Sequence, residues 1–542
     1  MSLASSKTPG GENEPPALST GIPLHAASAY RRHAACAACL RAASCDCPGV
    51  LIASRDLRLQ GIQPKKRYRS VAALHRTLWY MGTKARVIPG FLAQAIEEEV
   101  PSGGTVVDLM SGTGVVAAYC ADRYRVFAND VEDYAYIVAK SLVEHDPAGK
   151  SPFIRSLDVR RDLGDAFERN FSALASIYGR PLAVEDSLLR RFRTGKKGPE
   201  WCREYRKFLE APGSVHGSPA APRGRRPLYA AACRLLKEES LEGYRSDPLR
   251  RPACLVTAYY ANVYFGLRQS LVLDSLRAAI SDLKGRSPLA DQKRAHYLSA
   301  LLHAASTCTS GTSHFAQPRH LKKDSELLAM AARRGTDIFA RFEECSRDII
   351  LTVRDTRYLP GNRCFLGDYK ALLDGLRAGV RPRFRFPASV DLVYFDPPYT
   401  ADNYSRFYHV LDVLTRYDYP PLEKDAQGRI LRGRYPRIEH RFQSGFCRKS
   451  SVEEEFRTVI QATAGTGAKL VISYAFPSGL LLKQYAQRRP RRSPIRLLEK
   501  LCLESYREVE TRRLPMMHSG QGDSNLSVEE LLVICRKPRR RE

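Results

Sequence analysis

The chain has 542 residues, 44% of them hydrophobic, and its 86 lysines and arginines outweigh 58 aspartates and glutamates to leave a formal net charge of +28. That hydrophobic share supports sizeable cores and excludes a mostly disordered chain, and the length suits about three domain-sized units. No apolar run approaches the ~18 residues that a membrane span needs, and the charge points to a polyanion, nucleic acid before an anionic membrane surface.

Residues 1–64 read as a disordered or low-complexity tail. The first twenty are rich in Pro, Gly, Ser and Glu, and they lack the basic and apolar regions of a secretory leader, so none is expected. Cys36, Cys39, Cys45 and Cys47 follow in HAACAACLRAASCDCPG. Their final C-x-C is tighter than the paired C-x₂₋₄-C units of structural zinc sites, and no metal centre is expected. Elsewhere the cysteines stand singly, which suits reduced thiols in a cytosol better than a disulfide framework.

Residues 65–149 have α/β character. AIEEEV closes a helix, TVVDLM is a strand ended by SGTG, VVAAYCADRY is helical and RVFAND is a second strand. Residues 150–345 are basic and mostly helical in pattern. They include LLRRFRTGKKGPEWCREYRKFL, APRGRRPLYAAACRLLKEE and TAYYANVYFGLRQSLVLDSLRAAISDL, the last an amphipathic helix or a pair of them. From 346 to 542 the α/β pattern returns. CFLGD precedes helical YKALLDGLRAG, and VDLVYF is a strand that runs into DPPY. NYSRFYHVLDVLTRY and VEEEFRTVIQATAG are helical, KLVISYAF is a strand, and REVETRRLP and VEELLVICR form a closing pair. A parallel sheet is therefore expected, split by a helical insert.

Two motifs carry chemistry. In Asp108-Leu109-Met110-Ser111-Gly112-Thr113-Gly114 the glycines let the backbone turn sharply and approach a ligand closely at a strand's end. Asp130 follows 22 residues later, at the end of the second strand, where a doubly wound fold places a carboxylate for ribose hydroxyls. Position 117 is Ala, so the pattern indicates an adenosine-containing cofactor and nothing narrower. The second motif is Asp396-Pro397-Pro398-Tyr399. An exocyclic base amine is a poor nucleophile because its lone pair is delocalised into the ring. A carboxylate accepting one N–H and the Pro397 carbonyl accepting the other would draw the nitrogen toward tetrahedral geometry. The prolines fix φ and remove donors, and Tyr399 offers a ring face for a flipped base.

In that order VVDLMSGTG, AND and DLVYFDPPYT resemble the class I S-adenosylmethionine-dependent methyltransferases that act on adenine N6 in DNA, within them the Dam-like alpha group. Tyr80-Met81-Gly82-Thr83-Lys84 resembles the family's aromatic-x-Gly-x-Lys cofactor motif, Asp368 stands where the family has an acid near the cofactor adenine, and Ser473-Tyr474 matches the strand after the catalytic one. YFGLRQS and SHFAQP, within the insert, look like segments of some bacterial members. Met110 departs from the phenylalanine that members often carry, but it is also apolar and able to cover the cofactor.

The resemblance implies a Rossmann-like sheet of seven mostly parallel strands with helices on both faces, ending in an antiparallel hairpin. The insert would be a target-recognition lobe, with double-stranded DNA in the cleft between the two. It implies S-adenosyl-L-methionine held by Tyr80, Gly82, Lys84, Asp108, Ser111, Gly112, Thr113, Gly114, Asp130, Asp368 and Asp396, and catalysis by Asp396, Pro397, Pro398 and Tyr399. The expected protein is a cytoplasmic, nucleoid-associated adenine-specific enzyme, with a restriction endonuclease as a candidate partner.

Arg434, Arg437, Arg441, Arg488 and Arg489 stand among aromatics or in a basic run and are candidate DNA contacts. The chemistry needs no histidine, so His409 and His518 are not expected to act. Cytosine N4 or RNA adenine are alternative targets. Asp396 favours adenine in DNA, because those families more often carry Asn or Ser there. An inactive nucleic-acid-binding protein is the alternative of another class, and the intact Lys84, Asp108, Asp130 and DPPY argue against it.

Overall fold

The computed structural model describes residues 84–210, 237–311, 314–319, 323–381, 384–387, 389–519 and 525–539. By contact the chain divides between Pro64 and Lys65, and all described residues lie in the second unit. The four cysteines of the tail, Tyr80, Gly82 and most of APRGRRPLYAAACRLLKEE lie outside the described residues.

The sheet has seven strands, β1 (Thr105–Asp108), β2 (Arg125–Asp130), β3 (Arg363–Leu366), β6 (Leu392–Phe395), β7 (Lys469–Phe476), β8 (Tyr506–Ser519) and β9 (Asn525–Pro538), in the order β3-β2-β1-β6-β7-β9-β8. A small ribbon, β4 (Val380–Arg381) and β5 (Phe384–Arg385), stands apart. β3, β2, β1, β6 and β7 are parallel, while β9 runs antiparallel to both β7 and β8. β1 and β6 are neighbours from which the chain winds outward in opposite directions, so a crevice opens beyond their carboxyl ends. β1 and β6 are buried along their whole length, which is why both read as unbroken apolar runs.

Helices cover both faces. On one lie α1 (Ala93–Glu99), α2 (Val115–Cys120) and α3 (Asp133–Val143). Between β2 and β3 the described residues add α4 (Pro147–Ser156), α5 (Val159–Arg193), α6 (Pro199–Leu209), α7 (Glu238–Ser246), α8 (Leu255–Tyr260), α9 (Leu267–Ser281), α10 (Pro288–Cys308), α11 (Asp324–Arg334) and α12 (Ile338–Asp355). The opposite face carries α13 (Tyr369–Ala378), α15 (Val452–Gly465), α16 (Leu480–Arg488) and α17 (Ile495–Leu503) over Val393, Ile472 and Val533. α14 (Tyr404–Arg416), which follows DPPY, returns to the first face.

The insert differs from the expected separate lobe in one respect. Its buried Leu271, Tyr297 and Phe342 belong to the same apolar core as Val106, Val126 and Val138 of the sheet and α3. TAYYANVYFGLRQSLVLDSLRAAISDL forms two helices, broken where Asn262 takes φ +60° and Gly266 caps α9. α9 is not amphipathic in its setting, because Gln269, Ser270, Asp274 and Ser275 are buried with its leucines. Each of these polar groups is bonded: Asp274 accepts from the amides of Val256 and Thr257 at 2.8 and 2.7 Å, and Gln269 donates to the carbonyl of Arg333 at 2.9 Å. Helical periodicity cannot separate such a face from a solvated one.

Candidate active site

The ends of β1, β2 and β6 are fastened to one another by the residues of the glycine turn. The Leu109 amide donates to the Tyr394 carbonyl at 3.0 Å, and the Ser111 amide to the Asn129 carbonyl at 2.9 Å. The side-chain amide of Asn129 donates to the carbonyls of Leu109 and Gly367, at 3.3 and 3.0 Å. Gly114 takes φ +68°, and a Cβ there would lie 2.9 Å from the Cα of Ala139, so the α2–α3 approach demands glycine.

Asp108 and Asp130 are both tied to this turn. Asp108 Oδ2 accepts from the Ala117 amide at 3.1 Å, and its Oδ1 is buried without a hydrogen-bond partner. Asp130 accepts from the amides of Gly112 and Glu132, at 2.8 and 3.0 Å. Burial pushes the Asp130 carboxyl up to about 6 against those two bonds. Burial, with Asp396 nearby, lifts that of Asp108 well above its ordinary range. Asp130 is therefore both an anchor of the glycine turn and part of the cavity wall. Ser111 Oγ is buried and unpartnered as well.

Asp396-Pro397-Pro398-Tyr399 leaves the end of β6 beside this turn, and the Tyr399 carbonyl accepts the Leu480 amide at 2.7 Å. Lys84, in a single 3₁₀ turn (Lys84–Arg86), places Nζ 3.0 Å from Asp396 Oδ1 and 3.0 Å from Glu530 Oε1. Burial alone would lower the Lys84 pKa, but the two carboxylates hold it protonated and above its ordinary value. Burial pushes the Asp396 carboxyl up to about 7, with Lys84 opposing and Glu530 adding to the rise.

Two cavities meet here. One, of about 120 Å³, is lined by Asp130, Glu132, Asp368, Pro397, Tyr399 and Phe442 among others. The other is lined by Lys84, Asp108, Ser111, Gly112, Thr113 and Tyr394. Asp396 and Met110 are the two residues that line both. The carboxyl of Asp396 thus stands at the junction of the glycine-turn cavity and the aromatic one. Asp368, at the rim, also caps α13 by accepting from the Lys370 amide at 2.7 Å.

Residues 80–167 match the family model of the D12 class N6 adenine-specific DNA methyltransferases. The chain is 22% identical over 464 residues, 84% of its length, to the modification methylase LlaI of Lactococcus lactis subsp. lactis, of which this covers 55%. It is 22% identical over 408 residues, 75% of its length, to the Type II methyltransferase M.FokI of Planomicrobium okeanokoites, of which this covers 45%. Over residues 80–167 the chain is similar to the D12 class family. It spans about half the length of the curated relatives it matches.

The described motif residues converge, but the arginines expected on DNA do not behave alike. Arg437, Arg488 and Arg489 are exposed. Arg434 is buried, and Arg441 is largely buried, donating to Glu423 Oε2 at 2.9 Å with its guanidinium 5.9 Å from the Tyr435 ring centroid. Both side chains are thus largely buried in the loop after α14, where Arg441 pairs with Glu423. Tyr435 and Phe446 are core residues, whereas Phe442 is exposed at the cavity rim.

His409 is buried among Tyr260, Tyr264 and Tyr435, its Nδ1 2.9 Å from the Arg406 carbonyl. Burial lowers its pKa to about 3. It is a packing residue; the side chain of His518 lies outside the described residues. YFGLRQS and SHFAQP meet, the Tyr264 hydroxyl donating to the Phe315 carbonyl at 2.6 Å, while the Phe315 amide donates to the carbonyl of Phe407 on α14. The insert therefore abuts the helix that follows DPPY. Glu530 was not singled out from the sequence.

Proposed function

We propose that this chain transfers a methyl group from S-adenosylmethionine to the N6 amine of an adenine flipped out of double-stranded DNA. The observation that carries the reading is the position of Asp396, one wall of the glycine-turn cavity and of the aromatic cavity at once. A carboxylate at that junction can touch an amine held on one side and face a methyl donor on the other.

The residues present fit the cofactor. In a chain of net charge +28 the two cavities are lined by six carboxylates (Asp108, Asp130, Glu132, Asp368, Asp396 and Glu455) and by two lysines, Lys84 and Lys370. A cationic ligand would draw the buried carboxylates into their charged form, so such a wall favours a small molecule bearing cationic groups over a phosphate-rich one. The unpartnered Asp108 Oδ1 and Ser111 Oγ await a polar ligand atom. The cofactor supplies an electrophilic methyl group. Asp108, Ser111, Thr113 and Asp130 would hold and orient it, with Tyr80 and Gly82 completing the site by resemblance and Asp368 at the rim.

Asp396 would accept one N–H of the adenine amine and the Pro397 carbonyl the other. The two prolines hold these acceptors rigidly, and Tyr399, with Phe442 across the rim, offers ring faces to the flipped base. Position and electrostatics then supply the acceleration.

The relatives' names, a modification methylase and a Type II methyltransferase, support a modification enzyme with a cognate endonuclease. Double-stranded DNA as partner implies a cytoplasmic, nucleoid-associated protein. Among the described residues no helix is long and apolar enough to cross a membrane.

The deciding experiment is single-molecule sequencing of DNA from a methylation-free bacterial host expressing the chain. Methyladenine at one short recurring motif is the expected result. Methylcytosine at such a motif would change the base, and folded protein with unmodified DNA would overturn the reading.

The exposed Arg488 and Arg489 lead to a second expectation. DNA affinity falls steeply with salt, as phosphate contacts displace counterions. The double variant Arg488→Ala/Arg489→Ala lowers the slope of log affinity against log salt by about 2. Fluorescence anisotropy across a salt series checks this, and an unchanged slope would place DNA elsewhere.

A further inference from the structure

Glu530 lies on β9, beside Ala475 of β7 in register, and its side chain is only 9% exposed. The Ser473 hydroxyl donates to its Oε1, and the same oxygen is 3.0 Å from Lys84 Nζ. Lys84 Nζ is equally 3.0 Å from Asp396 Oδ1. One buried ammonium thus serves two carboxylates, although a single partner would suffice to bury it in a neutral pair.

Resting on the adenine-transfer reading above, we propose that Glu530 is a positioning residue for the transfer step. It shares the Lys84 ammonium with Asp396, so that Asp396 keeps the strength as a proton acceptor that the reaction demands. A lysine paired with Asp396 alone would fix that carboxylate's charge and blunt it as a base. The second carboxylate divides the ammonium's field and leaves the trio with a net negative charge, close to where positive charge develops on the amine.

In the step itself adenine N6 forms a bond to the methyl carbon as the carbon–sulfur bond breaks, and the sulfur keeps that electron pair. N6 then carries a positive charge and two hydrogens. One proton passes to the Asp396 carboxylate, which releases it to water when the cavity reopens. The groups facing Asp396 are Lys84 from the N-terminal turn, Asp108 from β1, the Tyr394 and Tyr399 hydroxyls from β6 and its turn, and Glu530 from β9. Glu530 is the acidic member of this set that shares the lysine and lines neither cavity, which is why its effect is on Asp396 and not on a ligand.

The test is Glu530→Gln, which keeps the volume and an acceptor for Ser473 but removes the charge. The negative charge of Glu530 raises the Asp396 midpoint, so its removal lowers it. The acid limb of the pH profile of kcat/KM moves down by about one pH unit. The limiting kcat falls by about threefold and by no more than tenfold, as a base weaker by about one pKa unit requires, and KM for DNA is unchanged. A readout independent of turnover is the ¹³C titration of carboxyl-labelled aspartate, with the Asp396 signal identified by its loss in Asp396→Asn. That midpoint falls in Glu530→Gln and stays at the wild-type value in Glu530→Asp, which keeps the charge. An unmoved midpoint in folded Glu530→Gln, or an equal fall in both variants, overturns the proposal whether or not the chain methylates DNA. A midpoint that falls as expected in a chain that modifies no DNA upholds the coupling and sinks the adenine reading instead.

Discussion

Replacing Asp396 with alanine is expected to lower methyl transfer by roughly 10³-fold or more, the scale of losing a group that both orients and deprotonates the nucleophile. DNA affinity should stay largely intact, because Asp396 meets only the flipped base and the exposed Arg437, Arg488 and Arg489 are untouched. The variant should also fold. Lys84 retains Glu530 at 3.0 Å, so no buried ammonium is left unpaired. Asp396→Asn keeps the shape and one acceptor oxygen but loses the charge, and its turnover should fall between the two. Single-turnover transfer of a tritiated methyl group, alongside a gel-shift titration, reads both effects. Turnover by Asp396→Ala within tenfold of the wild type would remove the carboxylate from the mechanism.

The sheet was legible because its central strands β1 and β6 are buried on both faces and bounded by sharp turns. RVFAND and KLVISYAF are strands over their full expected lengths, and VEEEFRTVIQATAG is a helix over its own. Asp108, Asp130 and Asp396 were legible for a related reason: each stands where an apolar run stops, at the carboxyl end of a parallel strand.

What was not legible depends on contacts across the chain. Glu530 follows Glu529 in a strand whose two faces meet different neighbours. Glu529 faces outward and pairs with Arg513, while Glu530 turns in toward Lys84, 446 positions earlier. The one local signal was an acid set directly against an apolar run, at the head of EELLVIC, where a burial cost had to be met by a partner. Arg434 and Arg437 illustrate the same limit. They are three residues apart, yet one is buried and the other exposed, and no spacing rule distinguishes them.

The buried acid of α9 carries the largest expected effect on stability. Asp274 is fully buried, and its carboxylate accepts from the amides of Val256 and Thr257, from Thr257 Oγ1 at 2.6 Å and from the Tyr417 hydroxyl. Alanine there orphans two amides in the first turn of α8, at about 1–3 kcal/mol each, and opens a small polar void. The two hydroxyls can rotate to other acceptors, which limits the total to about 3–5 kcal/mol. Urea unfolding followed by far-UV circular dichroism measures it, and a loss below 1 kcal/mol would mean that water takes the carboxylate's place.

This acid also bears on the site. The Tyr417 hydroxyl that donates to Asp274 contacts the Leu255 amide at 3.3 Å, and Tyr417 itself ends α14 in a left-handed turn, φ +60°. α14 is the helix that follows DPPY, and Pro420 beyond it is held by the Tyr259 hydroxyl at 2.9 Å. Asp274 therefore ties the insert to the segment that frames the aromatic cavity. Asp274→Ala should cost catalytic rate as well as stability, because the loop carrying Phe442 starts from this anchor. Tyr417→Phe separates the two effects. It removes one donor from Asp274 and the acceptor of the Leu255 amide, but leaves the Val256 and Thr257 amides satisfied, so stability falls by about 1–2 kcal/mol, less than in Asp274→Ala, while the loop loses the same tether. Transfer by Tyr417→Phe equal to the wild type, in a protein unfolding at nearly the wild-type urea concentration, would show that the insert is coupled to the cavity through packing alone.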